Sequence, residues 1–127
     1  MNLLLDTHSF LWYVRNTPQL SRRAVTIIAE ADKIYFSAAS YWEIILKYRS
    51  GKLKLEDEPT TYVSKHMAIN SFLPININYD HLNCLATLPM HHRDPFDRIL
   101  IAQAITEKLP IVSVDKQLKR YDVEVLW

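Results

Sequence analysis

The chain opens Asn2-Leu3-Leu4-Leu5-Asp6-Thr7-His8-Ser9, three leucines in succession closed by an acid. A strand with one wet face alternates apolar and polar residues. An unbroken apolar run this short reads instead as a strand buried on both faces. The residues behind it, from about Ser9 to Arg15, read as a helix ended by Asn16-Thr17-Pro18. A doubly buried strand followed at once by a helix is the first half of a βαβ unit, and the rest of the chain repeats it. Ile34 to Ser37, Leu73 to Ile77, Ile111 to Val114 and Val123 to Trp127 read as further strands. Between them, Ser21 is an N-cap for a helix carrying Ala24, Val25, Ile28 and Ala31 at helical spacing. Ser40-x-x-Glu43 matches a capping box and opens a helix with Trp42, Ile45, Leu46 and Arg49 along one side, stopped near Gly51. Pro59 starts a helix striped with Tyr62, Val63, His66 and Met67. Asn78 caps another with Leu82, Leu85 and Ala86, closed before Pro89. Asp94-Pro95 is an N-cap with a proline at the first helical position. The helix behind it, Phe96 to Lys108, is apolar nearly all round and therefore buried. Lys116 to Arg120 is a short helical turn. Short apolar strands alternating with helices predict a three-layer α/β/α domain around a central, mainly parallel sheet.

Length and composition narrow the function classes. The 127 residues make one domain, 1–127, with 49% hydrophobic and 23% charged residues, which is neither a disordered nor a fibrous composition. Such a chain buries roughly two-thirds of its unfolded surface and needs no disulfide or structural metal to fold. Cys84 is the single cysteine, so an internal disulfide and a paired-cysteine zinc knuckle are both excluded, and the cytoplasm is the expected compartment. No apolar run approaches 18 residues, so no membrane span is expected. The start, Met1 to Asp6, has no basic region and does not read as a signal peptide. Gly51 is the only glycine, which removes the P-loop and the dinucleotide fingerprint. Fifteen Lys and Arg against 14 Asp and Glu give +1, so global charge says nothing about nucleic acid. Its distribution says more: Ile44 to Leu55 contains no acid but has Lys47, Arg49, Lys52 and Lys54. A run like this is usually a solvated face; holding a phosphate backbone is the functional alternative.

The acids carry the functional argument. Asp6 immediately follows the first strand and Asp115 follows Ile111 to Val114, while Glu43 and Asp97 fall at the third position of two expected helices. In a parallel sheet the helix after a strand starts at the strand's carboxyl edge, so these four carboxylates are placed on one rim, where open α/β sheets bind ligands. Each has an ordinary explanation: Asp6 and Asp115 as N-caps, Glu43 in the box with Ser40, Asp97 with Asp94 or on the helix dipole. Together they are less comfortable. Two carboxylates 4 Å apart repel by ~1 kcal/mol in water and ~4 kcal/mol at an effective dielectric of 20. A cluster of them needs protons or a cation, and oxygen-only ligands suit Mg²⁺ or Mn²⁺. Such an ion, keeping some of its waters, serves metal-assisted phosphoryl chemistry. Asp94 reads as a cap facing its own helix. Thr7 and Ser113 flank the strand-end acids, with hydroxyls fit to bind a metal-bound water or to cap a helix. Lys47, one turn past Glu43, reads first as an i,i+4 ion pair. The dispersed histidines His8, His66 and His81 and the adjacent His91-His92 make no zinc site, and Trp12 and Trp42 read as core residues in preference to base-stacking platforms.

These segments resemble a known family. Leu4-Leu5-Asp6-Thr7-His8 is similar to the opening of PIN domains. Ser40-Tyr41-Trp42-Glu43-Ile44, followed by Lys47 and Gly51-Lys52-Leu53, resembles their second motif. His92-Arg93-Asp94-Pro95-Phe96-Asp97-Arg98 with Ile101-Ala102-Gln103-Ala104 resembles the third and most specific, and Val112-Ser113-Val114-Asp115 the fourth. The likeness covers nearly the whole chain, in order, and is closest to the VapC-type toxins of bacterial type II toxin–antitoxin pairs. It implies a PIN fold and an Mg²⁺- or Mn²⁺-dependent endoribonuclease leaving 5′-phosphate and 3′-hydroxyl ends. It also implies an acidic site of Asp6, Glu43, Asp97 and Asp115, and a small cognate antitoxin as partner. Asp6, Glu43 and Asp97 are expected to hold metal, with Asp115 binding a second ion or orienting a metal-bound water. Ser113 stands where many relatives carry threonine, which keeps a hydroxyl. Lys47, Arg49, Lys52 and Lys54, with Arg98, are the candidates for holding RNA backbone, and a homodimer is expected. Two rival readings are a phospho-receiver-like signalling domain and a non-catalytic RNA-binding module. The first needs an acidic pair after an early strand and a lysine after a late one, whereas here Asp6 stands alone and Ile111 to Val114 ends in Asp115.

Overall fold

The computed structural model describes residues 1–127. In chain order the elements are β1 (Asn2–Leu5), α1 (Thr7–Arg15), α2 (Arg22–Glu30), β2 (Lys33–Ser37), α3 (Ala38–Arg49), α4 (Pro59–Asn70) and β3 (Leu73–Ile75). They continue with α5 (Tyr79–Ala86), α6 (Pro95–Glu107), β4 (Ile111–Val112), a 3₁₀ turn over Lys116–Arg120, and β5 (Val125–Leu126). Five strands form one sheet in the order β3-β2-β1-β4-β5, every pair parallel. Leu4 pairs with Tyr35 on one side and Ile111 on the other, so β1 is the centre of the sheet.

The leucine run does what its pattern predicts. Leu3 and Leu5 belong to a core on one face with Phe10, Ile28, Phe36 and Val63, while Leu4 points to the other face, into a core with Leu100, Ile101 and Ile111. All three leucines are fully buried. Helices cover both faces, giving the three-layer α/β/α arrangement. No helix is long and apolar enough to cross a membrane. Asn16, Ser71 and Lys108 close α1, α4 and α6 in the left-handed region that terminates helices (φ 53°, 56° and 56°).

Three local expectations are corrected. First, α3 does not begin at Ser40. Ser37 is its N-cap, with its hydroxyl accepting from the Ala39 N–H at 3.0 Å, so Glu43 lies in the second turn and completes no capping box. The strand end supplies an earlier serine, and the earlier cap wins. Second, the helix packs inward by a different side from the expected one. Ala39, Ser40, Glu43 and Ile44 face inward, while Trp42 (56% exposed) and Leu46 (46%) face out, so Trp42 is no core residue. Third, the late strands are shorter than their apolar runs. Val114 lies beyond β4 and is exposed, because the chain leaves the sheet at Ser113 to bring Asp115 round as a cap.

Candidate active site

In the order β3-β2-β1-β4-β5 the chain moves to one side of β1 first and to the other side later. The switch falls between β1 and β4, and at their carboxyl ends an open sheet leaves a crevice. The residues leaving those two strands are Asp6 and Ser113. They sit side by side: the Asp6 N–H donates to the Val112 carbonyl at 3.2 Å, and the Ser9 hydroxyl donates to the same carbonyl at 2.9 Å.

Asp6 is the N-cap of α1, accepting from the Ser9 N–H at 2.8 Å. It is also only 5% exposed. Burial pushes its carboxyl up, against the lowering effect of hydrogen bonds from Ser113 and Ser9. Its ordinary capping role and its place in the rim therefore hold together. Glu43, equally buried, comes from the inward face of α3. Thr7 donates to its Oε1 at 2.6 Å and lies 2.9 Å from the Ser40 hydroxyl, while Lys47 Nζ is 2.8 Å from Oε2. Thr7 thus neither caps nor faces solvent; it fixes Glu43 against α1.

Asp97 enters from the first turn of α6, where the N-cap Asp94 accepts from the N–H groups of Phe96 (2.9 Å) and Asp97 (3.1 Å). Asp94 is therefore a cap, as its position before Pro95 implies. The Asp97 carboxyl is pushed up to about 7, first by burial and then by the negative charges of Asp94 and Asp6. Glu43 adds to the effect and the nearby His92 opposes it. Asp97 senses Asp6 and Glu43 because the three share one small space. Asp115 caps the 3₁₀ turn through Gln117 (2.9 Å), and its own N–H donates to Ser113 Oγ at 3.0 Å. Ser113 is thus the link between Asp6 and Asp115. The structure brings the four acids and both hydroxyls to one rim, graded from the deep Asp6 and Glu43 to Asp97 and Asp115, whose side chains are 25% and 34% exposed.

The donor set fits a hard divalent cation. Asp6 and Asp97, both pushed up by burial, and Glu43 with Lys47 drawn in as its counter-charge make the all-oxygen donor set that Mg²⁺ or Mn²⁺ takes.

The basic candidates divide. Lys47 and Lys52, with Arg15, line a cleft of about 360 Å³ that starts at Thr7 and runs past His8, Trp12 and Leu53. Arg15 also donates to the Lys54 carbonyl at 2.6 Å, which fixes the end of the basic segment beside that cleft. Arg49 lies elsewhere, on a separate cleft with Tyr48 and Glu58. Arg98 is turned to the protein: its guanidinium donates to the carbonyls of Leu88 (3.2 Å), Pro89 (2.9 Å) and His92 (3.4 Å).

Two residues at the rim were given no site role from the sequence. His92 Nε2 lies 2.7 Å from Asp115 and 3.3 Å from Asp97. Its signal was positional: a residue just ahead of the Asp94-Pro95 helix start must sit at that helix's N-terminal end. Trp42 makes an edge contact with Phe96, ring centroids 5.0 Å apart, between the two helices that present Glu43 and Asp97.

Comparison with known proteins agrees with the fold. A sequence-family model described as the PIN domain matches residues 3–124. The fold is similar to a chain of the VapBC2 structure from Rickettsia felis bound to a promoter DNA fragment (15% identity, TM-score 0.73, covering 100% of both chains). It is also similar to a chain of VapBC from Salmonella typhimurium bound to DNA (14% identity, TM-score 0.70, covering 98% and 96%). A third likeness is to FitAcB from Neisseria gonorrhoeae (19% identity, TM-score 0.66, covering 98% and 96%). A comparison with curated protein sequences returns no match.

Proposed function

The chain belongs to the PIN-domain family, and on that premise we propose that it is a single-domain (residues 1–127), divalent-metal-dependent endoribonuclease of the cytoplasm, the toxin of a type II toxin–antitoxin pair. The observation that carries the nuclease reading is the convergence of Asp6, Glu43 and Asp97 at the switch point, where burial first, and then the charges of Asp94, Asp6 and Glu43, push the Asp97 carboxyl up to about 7. Lys47 and His92 offset part of that negative charge, and a divalent cation held by the three carboxylates would offset the rest.

Asp6, Glu43 and Asp97 would hold Mg²⁺ or Mn²⁺. When bound, the ion supplies charge neutralisation at a phosphate oxygen and a water of lowered pKa. The protein's own groups prepare the site. Thr7 holds Glu43 in place, and Ser113 and Ser9 keep Asp6 oriented despite its burial. Lys47 balances Glu43 in the metal-free state and stands at the mouth of the basic cleft, where an RNA phosphate would meet it. Arg15, Lys47 and Lys52 then track the backbone of one strand away from the acids, with Lys54 close by. Asp115, more exposed and hydrogen-bonded on both oxygens, is placed to orient a water.

The toxin reading is supported by the structural neighbours, which are VapBC and FitAB complexes. An acidic, water-filled rim is a good receptor for an inserted Arg or Lys, so a small antitoxin could silence the site by displacing the metal or blocking phosphate entry. Self-association into a homodimer belongs to the same reading. The test is brief expression of the chain with and without Asp6→Asn, followed by sequencing of cellular RNA ends. New ends and arrested growth with Asp6 intact, absent in the variant and relieved by the upstream reading frame, support the reading. Acid-labile labelling by a phosphodonor would favour the phospho-receiver instead. RNA bound but left intact, with or without metal, would favour a binding module.

A further inference from the structure

The imidazole of His92 sits inside the rim, and its hydrogen bonds fix what it does there. Nδ1 accepts the backbone N–H of Asp94 at 3.0 Å, so a neutral ring carries its proton on Nε2. Nε2 lies 2.7 Å from Asp115 Oδ2 and 3.3 Å from Asp97 Oδ2. One N–H serves the nearer acceptor, which is Asp115. The same three side chains have ligand atoms within 4.8 Å of one another, a spacing that fits a bound ion. Nε2 nevertheless has no lone pair to offer while Asp94 holds Nδ1 as an acceptor. The geometry makes His92 a donor, not a ligand.

The ring is also held firmly. The N–H groups of His91 and His92 both donate to the buried Tyr121 hydroxyl, at 2.9 and 2.7 Å, and Arg98 ties down the carbonyls of the same loop. Asp115 is in turn fixed at both oxygens, Oδ2 by His92 and Oδ1 by the Gln117 N–H. To swing onto an ion directly it would have to give up one of these bonds. We propose that His92 is the positioning residue of this centre: it tethers Asp115, and so divides the four acids into a three-carboxylate ion site (Asp6, Glu43, Asp97) and a fourth carboxylate held beside it. This rests on reading the rim as a metal centre. Partners of this kind behind metal-site carboxylates change metal affinity by about 10–100-fold when removed.

The test uses the whole chain, Mn²⁺ as probe, and two readouts that need no RNA. Imidazole ¹⁵N spectra at neutral pH should show His92 with a protonated Nε2 and a bare Nδ1, and the Nε2 proton signal should move in Asp115→Asn. Mn²⁺ affinity, read by electron paramagnetic resonance, should fall about 10-fold or more in His92→Ala, because a released Asp115 no longer keeps its negative charge fixed beside the ion site. It should fall no further when His92→Ala is added to Asp115→Ala, because the tether then has nothing to hold. His92→Gln, whose amide nitrogen reaches the position of Nε2, should recover most of the affinity and guards against a folding defect in the alanine variant. A protonated Nδ1, additive losses in the double variant, or a glutamine variant as weak as the alanine one would each overturn the tether. If the wild type binds no Mn²⁺ at all, the metal-centre reading itself fails, and His92's role with it; Mn²⁺ binding with additive losses sinks the tether alone.

Discussion

Asp97→Asn should make the metal-free protein more stable. A carboxyl moved from 3.8 to about 7 carries ~4 kcal/mol of unfavourable ionisation at neutral pH, at 1.36 kcal/mol for each tenfold step in acidity. Solvent screening at a rim open to water, and the coupling of Asp97 to the neighbouring Asp6, reduce the realised effect to about 1–2 kcal/mol. The sign follows from proton binding. Between pH 4 and 7 the folded protein retains the Asp97 proton and the unfolded chain does not, so folding loses stability as pH rises through that window. Asparagine has no proton to lose. The advantage of Asp97→Asn should therefore be absent near pH 4, grow up to about pH 7, and appear as roughly 3–8 °C in melting temperature. The assay is thermal unfolding in EDTA across that pH range, for both proteins. With Mg²⁺ or Mn²⁺ added the order should reverse, since only the wild type gains the full binding energy. An Asp97→Asn protein that melts with or below the wild type in EDTA at neutral pH would refute the crowding argument.

Other expectations follow from single contacts. Glu43→Gln should fold, since Thr7 can still donate to it, but lose most RNA cleavage in a gel assay; wild-type cleavage would mean Glu43 only anchors Thr7 and Lys47. Asp94→Ala removes the cap of α6 and should cost about 1 kcal/mol in a denaturant titration. Because Asp94 is also the strongest charge acting on Asp97, the pH at which Mn²⁺ affinity levels off should fall below about 7 in that variant. Lys52→Ala should act on binding, lowering the slope of log affinity against log salt by about 0.7, with turnover of saturated enzyme little changed.

The fold was readable because its strands are buried on both faces. An unbroken run such as Leu3-Leu4-Leu5 has few other homes, and Asp94-Pro95 marks a helix start by chemistry that tertiary packing does not override. Strand ends were less legible: Val114 and Ile77 continue the apolar pattern of their runs, yet the chain has already left the sheet. Helix start and facing both failed at α3: Ser37 at the strand end caps ahead of Ser40, and the side carrying Ala39, Ser40, Glu43 and Ile44 packs inward while Trp42 and Leu46 face out. The acids were legible as a group because strand ends and helix starts share a rim in any parallel sheet. Their individual settings were not. That Thr7 holds Glu43, that Arg98 clamps a loop, and that His92 reaches Asp115 are contacts made across the fold, and no spacing in the sequence encodes them.

The most direct measurement of the central claim is the chemistry of the RNA ends. The purified chain, incubated with RNA in Mg²⁺ or Mn²⁺, should leave 5′-phosphate and 3′-hydroxyl termini, with water held at the acidic rim attacking phosphorus and the 3′-oxygen leaving as the hydroxyl. EDTA or Asp6→Asn should stop the cleavage. Cleavage that persists in EDTA and leaves 2′,3′-cyclic phosphates would contradict the account, since the nucleophile would then be the RNA's own 2′-hydroxyl and the carboxylates would hold no ion.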